Sequence, residues 1–292
     1  MKTFMEEYGL IVVAAIIIMI FVLVATPIGT SLKDGVRTTV DKFTSSMVAD
    51  EGESGGSGSG SGSEGSSGEL DMSTVSATLE ENDWETIQKV VSAGKVAEAG
   101  WSVGDTKTLT INGAEQTATL IGLDHDGENT ATFMIMSNIN NGDGYVMNGS
   151  SESNIGGWEA SEMRAWLNSD IYNNMSNKDY IKEVTKMTDN VGYSGQENEV
   201  TATSDKVFLL SVIETGLQDQ AEGDFDYPYM DAIKAEGTTY EWFTNNSLRD
   251  FFWLRSPVSS GDNRFFCYGG NTLECDNAEV EDAVFAVFVI GE

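Results

Sequence analysis

The pattern of apolar and polar positions changes character three times along this chain. From Gly9 to Ala25 (GLIVVAAIIIMIFVLVA) seventeen residues pass without a charge. As a helix, Tyr8 to Thr26 is roughly 28 Å long, about the thickness of a bilayer's hydrocarbon core. Pro27 removes the hydrogen bond to the carbonyl of Leu23 and interrupts that helix. Beyond it Ile28, Leu32, Val36, Val40, Phe43 and Met47 recur every three or four residues, while Lys33, Asp34, Arg37, Asp41 and Lys42 fall elsewhere. That spacing predicts an amphipathic helix with one apolar stripe. The stripe either lies on lipid or packs laterally on copies of itself, and its continuity with the spanning run favours packing. Residues 51–69 (EGESGGSGSGSGSEGSSGE) contain four glutamates and no large apolar residue. They read as a flexible tether with an end-to-end distance of about 25 Å. The organisation expected is a helix over 1–50, a linker over 51–69 and a globular head over 70–292.

Within the head the periods shorten. Asn82–Ala99 predicts a helix with Asn82 as cap and Trp84, Ile87 and Val91 on one face. Asn112-Gly113 between Thr106–Ile111 and Ala114–Leu123 is a strong hairpin signal, and Thr130–Met136 supplies a third strand. A second helix is expected over Gly156–Asn168, and a helical or turn segment over Asp179–Met187. Val207–Val212 reads as a strand buried on both faces. The C-terminal segment alternates into strands at Arg264–Tyr268, Leu273–Asp276 and Val284–Ile290. The fold class expected is an α+β head on a long N-terminal hydrophobic and amphipathic helix.

Charge changes the picture of partners. Residues 1–50 carry four Lys/Arg and five Asp/Glu, which leaves 12 against 42 in the remainder, a net charge of −30 for that part. Such a surface repels phosphate backbones, so nucleic acid is excluded as a partner of the head. Its aromatic content gives it enough apolar mass for a core. The N-terminus lacks the small-x-small site of a cleaved leader, so the apolar helix is expected to stay.

Two stretches resemble known families. The acidic pair ending in Glu7-Tyr8, the apolar run and its amphipathic continuation are similar to the N-termini of Flp-type (type IVb) pilins. The resemblance implies that Glu7 and Tyr8 act in assembly, the buried glutamate neutralising a neighbouring subunit's terminal amine. Lys2-Thr3 stands where that family has the glycine preceding the processing cut. In the head, Gly-Gly-Trp (156–158), Glu-Met-Arg (162–164), Trp-Leu-Asn (166–168), Lys-Val-Phe-Leu-Leu-Ser (206–211) and Trp-Leu-Arg-Ser-Pro (253–257) resemble a family of surface domains of uncharacterised function found in Gram-positive bacteria. That family is related to the C-type-lectin-like fold shared by formylglycine-generating enzymes. The resemblance therefore implies a C-type-lectin-like head, of a kind that is sometimes the target of diversity-generating retroelements.

Proteins of that kind vary ligand-contacting positions near the C-terminus. The matching set here is Asp262, Asn263, Phe266, Tyr268, Asn271, Glu274, Asp276, Asn277, Glu281 and Asp282, a mix of aromatic and polar side chains suited to a paratope. An ordinary solvated hairpin is the competing reading. Cys267 and Cys275 lie opposite each other if the loop is Gly270-Asn271-Thr272, where they are either a disulfide or two incidental thiols. His125 between Asp124 and Asp126 reads as a turn, not a metal site. No metal or cofactor is expected. One histidine, no nucleophile elbow and no phosphate-cradling glycine loop argue against an enzyme.

The function expected is an exported pilin-like subunit that displays a ligand-binding, adhesin-like head at the cell surface. Its partners are copies of itself through Ile28, Leu32, Val36, Val40, Phe43 and Met47, the membrane, and an external ligand. A monomeric anchored receptor and a purely structural pilus subunit are the alternatives.

Overall fold

The computed structural model describes residues 70–140, 142–190, 199–220, 234–258 and 263–292. All lie in the second of the two units into which the chain divides, Gly68–Glu292. The predicted N-terminal helix and its assembly residues Glu7, Tyr8, Ile28, Leu32, Val36, Val40, Phe43 and Met47, and also Asp262, lie outside the described residues. Among the described residues no helix is long and apolar enough to cross a membrane.

The head is mostly β structure, with a half-barrel and a few short helices, which overturns the expected α+β, C-type-lectin-like class. The predicted helices shrink for local reasons. Helix α1 (Trp84–Ser92) is capped by the Asp83 side chain rather than by Asn82, and it stops because Gly94 takes φ +65°, leaving Val96–Ala99 (α2) as a separate turn. Helix α3 (Glu162–Trp166) is capped by Ser161 and runs into one wide π turn, Leu167–Ile171. A further short helix, α4, spans Glu241–Asn245.

Strands β1 (Thr106–Ile111) and β2 (Ala114–Leu123) form the predicted hairpin, and β3 (Ala131–Ile135) pairs with β2 beyond a bulge at Leu120–Gly122. The second turn of this meander ends at Thr130, with Asp124 and Asn129 both at positive φ. Asp179–Met187 is not helical. After a 3-10 turn it becomes β4 (Ile181–Lys182) and β5 (Val184–Asn190), because its threonines pair across β6 (Glu199–Asp205) as Thr185↔Ser204 and Thr188↔Thr201. Of Val207–Val212 only β7 (Val207–Phe208) is strand, although the whole run is buried.

The last strand, β11 (Val287–Ile290), holds the centre. It pairs antiparallel with β3 on one side and with β4 and β7 on the other, in the order β1-β2-β3-β11-β4. All four of its residues are buried, which accounts for an uninterrupted apolar run where alternation would mark a half-exposed strand. Val284 and Ala286 extend it as backbone acceptors for Ile139 and Ile135. Phe133 stacks on Phe288, and Trp84 of α1 meets both edge-on at 5.5 and 5.9 Å between centroids, so the helix is docked by aromatic contacts. A second sheet, β10-β9-β8, comprises Leu273–Asn277, Arg264–Gly269 and Phe251–Pro257; β5-β6 is a separate two-stranded sheet.

Candidate functional site

The β9–β10 hairpin carries most of the residues the sequence marks for ligand contact. Its turn is one residue shorter than the three-residue loop considered above: Gly269 and Thr272 bond each other through both backbone groups, and the two residues between them, Gly270 and Asn271, take φ +65° and +72°. Tyr268 therefore faces Leu273, Cys267 faces Glu274, and Phe266 faces Cys275. A one-residue change of register puts the two cysteines on opposite faces of the hairpin, and both are free thiols. Cys267 is buried with its thiol donating to Asp282 Oδ2 at 3.7 Å, while Cys275 Sγ accepts from Arg264 Nη1 at 2.9 Å. Burial, with the nearby carboxylates of Asp282 and Asp276, pushes the Cys267 thiol far up and keeps it protonated.

Phe266 and Tyr268 are core residues and present no surface. Strand β9 is central in its sheet and is buried on both faces, so its aromatic side chains fill the interior. Tyr268 stacks on Phe252 at 5.0 Å, accepts from the Leu248 N–H and donates to Asn271 Oδ1. The rest of the set is polar surface. Asn263, Asn271, Glu274, Asn277 and Glu281 are exposed, and Asp276 and Asp282 are half-buried. Asp276, Asp282 and Glu274 gather on the Cys267 face. Burial raises the Asp282 carboxyl to about 6, helped by the like charge of Asp276. Asp282 also bridges to Tyr145 through the backbone, and the Tyr145 ring stacks on Trp166 at 4.0 Å, both rings partly exposed. Among the described residues no group of three or more His, Cys, Asp or Glu is arranged to hold a metal ion.

The motif residues do something else: they build two polar networks inside the head. In the first, Arg255, fully buried on β8, donates to Glu214, to the Leu209 carbonyl at 2.8 Å and to the Glu236 carbonyl at 2.7 Å. Lys186 on β5 lies 2.6 Å from Glu214 Oε1 and 2.8 Å from Asp126 Oδ1. Asp126 Oδ2 accepts from Thr132 at 2.6 Å and Tyr240 at 2.8 Å. Burial alone would raise Asp126 and Glu214, yet the contacts of His125 and Lys186 with Asp126, and the charges of Arg255 and Lys186 beside Glu214, hold both carboxyls below their ordinary values. Glu236 goes the other way: its burial outweighs Arg255, and its carboxyl is raised. Two cations thus face two anions, with a third carboxyl, Glu236, raised by its burial beside them. The half-buried His125 stacks on Tyr240 at 3.7 Å at the rim.

The second network centres on the fully buried Asp205. It accepts from the Trp158 indole at 3.0 Å, Thr203 at 2.6 Å, Arg164 Nε at 2.6 Å and Asn168 at 3.3 Å. Asn168 also takes the backbone N–H groups of Lys206 and Val207. The glycine pair before Trp158 has a steric cause: a Cβ on Gly157 would lie 2.1 Å from the Asp189 carbonyl oxygen, at φ +53°. Sequence spacing joins only Thr203 to Asp205 and Arg164 to Asn168, and none of the contacts between segments. The only local signal was buried-type residues such as Trp158 and Arg255 embedded in apolar strings, and it pointed to a family, not to a contact.

No curated protein and no solved structure matches this chain. A family model described as "Domain of unknown function (DUF6273)" matches residues 130–279, the stretch that runs from β3 to the end of the hairpin and holds both networks except Asp126 and His125, and the chain belongs to that family.

Proposed function

We propose that the head is the ligand-binding part of an exported surface subunit, carried on residues 51–69 and anchored or assembled through residues 1–50, and that it takes ligands bearing cationic groups at the part-exposed carboxylates of β10 and Asp282. The observation that carries this reading is the half-buried Asp276–Asp282 pair beside Glu274. Two like charges share a partly desolvated corner, and burial has already raised one of them. A cation placed there relieves that repulsion, whereas an anion or a phosphate would add to it. The surrounding excess of acid extends the attraction outward, which speeds encounter at low salt. The raised Asp282 couples binding to proton release, so affinity for a cation rises from pH 5 to pH 7.

The test uses the full chain in detergent and a tetralysine peptide as probe, followed by surface plasmon resonance. Asp276→Asn with Asp282→Asn is expected to weaken binding at least tenfold, and added salt to slow association. Equal binding by the variant sinks the proposal. Assembly is read separately. Filaments that pellet from the full chain should disperse when Val36 and Val40 are changed to Asp; material that never pellets selects the plain anchor.

A further inference from the structure

Lys186 is held in an environment that fits chemistry better than simple pairing. Its side chain is 4% exposed, its Nζ sits 4.3 Å above the Phe208 ring centroid, and it lies within 2.8 Å of Asp126 Oδ1 and 2.6 Å of Glu214 Oε1. The contact with Oδ1 brings the amine against the Asp126 carboxyl group. The other oxygen, Oδ2, already receives two hydroxyl donors, Tyr240 at 2.8 Å and Thr132 at 2.6 Å. Two donors at that distance from one carboxyl oxygen form the kind of cradle that stabilises a tetrahedral oxyanion. Glu214 Oε1, buried and bonded to no other group among the described residues, is placed to carry protons off the nitrogen.

We propose that Lys186 and Asp126 condense after folding into an intramolecular amide, an isopeptide bond joining β5 to the turn between β2 and β3. Glu214 passes a first proton from the ammonium to Asp126 Oδ1, and the lone pair so freed attacks Cγ of the neutral acid. The C–N bond forms as the carbonyl pair moves onto Oδ2, where Tyr240 and Thr132 hold it. Glu214 then relays a second of the three ammonium protons to Oδ1. The carbonyl re-forms at Oδ2, and Oδ1 leaves as water. One ammonium and one carboxylate give one amide and one water, with no oxidant, metal or cofactor involved.

Three features favour the step. The fold holds amine and carboxyl together, and well-oriented groups react with effective concentrations of about 10⁵–10⁸ M. Condensation removes one buried cation and one buried anion at once, whose desolvation is costly. The charges that remain, Arg255 and Glu214, are still matched. The cations that keep Asp126 ionised make the neutral amine–acid pair the rare form, so the reaction is a single slow maturation event and not a turnover.

The test is peptide mapping of the purified, folded full chain after denaturation and protease digestion. The expected result is a branched peptide joining the segments that contain Asp126 and Lys186, lighter than their sum by one water. Lys186→Arg should give none, and Glu214→Gln should slow its appearance at least tenfold. Wild-type protein that is folded, by its buried tryptophan fluorescence, yet yields only the two linear peptides overturns the proposal. A branched peptide forming equally fast in folded Glu214→Gln overturns the role given to Glu214.

Discussion

Arg255→Met is the most severe single change the first network predicts, and its size can be worked from the contacts. The guanidinium is fully buried and satisfies Glu214 and two backbone carbonyls, Leu209 and Glu236. Removing it takes a cluster of two cations and two anions to a net negative charge with no water to compensate. Breaking a buried ion pair from one side costs about 3–5 kcal/mol, and each orphaned carbonyl adds about 1–3 kcal/mol. Where Lys186 is still a free ammonium it faces Glu214 and keeps the electrostatic part toward the lower end. The expected loss is therefore about 5 kcal/mol, against a typical total stability of about 5–15 kcal/mol. For a domain of this size that is a fall in Tm of about 10–20 °C. Arg255→Lys keeps the charge but not the fork that reaches three acceptors, so it should fall between wild type and Met. Urea unfolding of the full chain, followed by the fluorescence of the buried Trp158 and Trp253, measures both. A Met variant within about 1 kcal/mol of wild type would refute the claim that this arginine holds an otherwise uncompensated interior.

Other positions give smaller effects. Trp158→Phe keeps the ring but removes the indole donor to Asp205, and should cost about 1.5–3 kcal/mol in the same unfolding assay. Phe266→Ala and Tyr268→Ala should each destabilise by about 3–5 kcal/mol, and at temperatures where they remain folded they should leave tetralysine binding unchanged. For Asp282 the folded carboxyl, near 6, binds its proton more tightly than the unfolded one at 3.8, so stability is fully present below 3.8 and declines as pH rises to 6. The side chain is about half solvated, which reduces the effect to about 1 kcal/mol. Asp282→Asn should flatten the stability profile across that range, and an unchanged slope would count against the assignment.

How much of this was legible in the sequence depends on how local the cause is. Asn112-Gly113 carries its own turn geometry, and the β1–β2 hairpin is where the sequence puts it. The C-terminal apolar run announces a buried strand whose neighbours, β3, β4 and β7, lie far away in the chain. The register at β9–β10 was not legible. One turn residue fewer decides it, and with it the fate of two cysteines. The burial of Phe266 and Tyr268 also escaped the sequence, because alternation marks an outer face only where one side of a sheet meets water, and β9 has none. Likewise Thr185 and Thr188 become strand because β6 is there to pair with them. The ionic cluster needs Asp126, Lys186, Glu214 and Arg255, from four separate segments, and no spacing rule connects them.

Both networks converge on the β5–β6 hairpin, and that convergence sets its stability. A two-stranded sheet is marginal on its own, and this one has little apolar surface to bury. Its buried positions are Val184, Lys186, Thr188 and Asp189 on β5 and Thr203 and Asp205 on β6, while Met187 and Val200 point to solvent. What seats it is Lys186 in the first network and Asp205 in the second. Charge-assisted bonds in a dry interior are directional, so they fix the register that a Thr-rich strand pair would otherwise leave loose. The hairpin should therefore open as a unit at a lower free energy than β2, β3 and β11, whose protection comes from apolar packing. Hydrogen exchange of the full chain tests this. Asp205→Asn should speed exchange of the β5 and β6 amides at least tenfold while leaving β3 and β11 within twofold of wild type. Exchange that accelerates equally in all four strands would mean that Asp205 supports the whole core, and that this hairpin has no separate cooperativity.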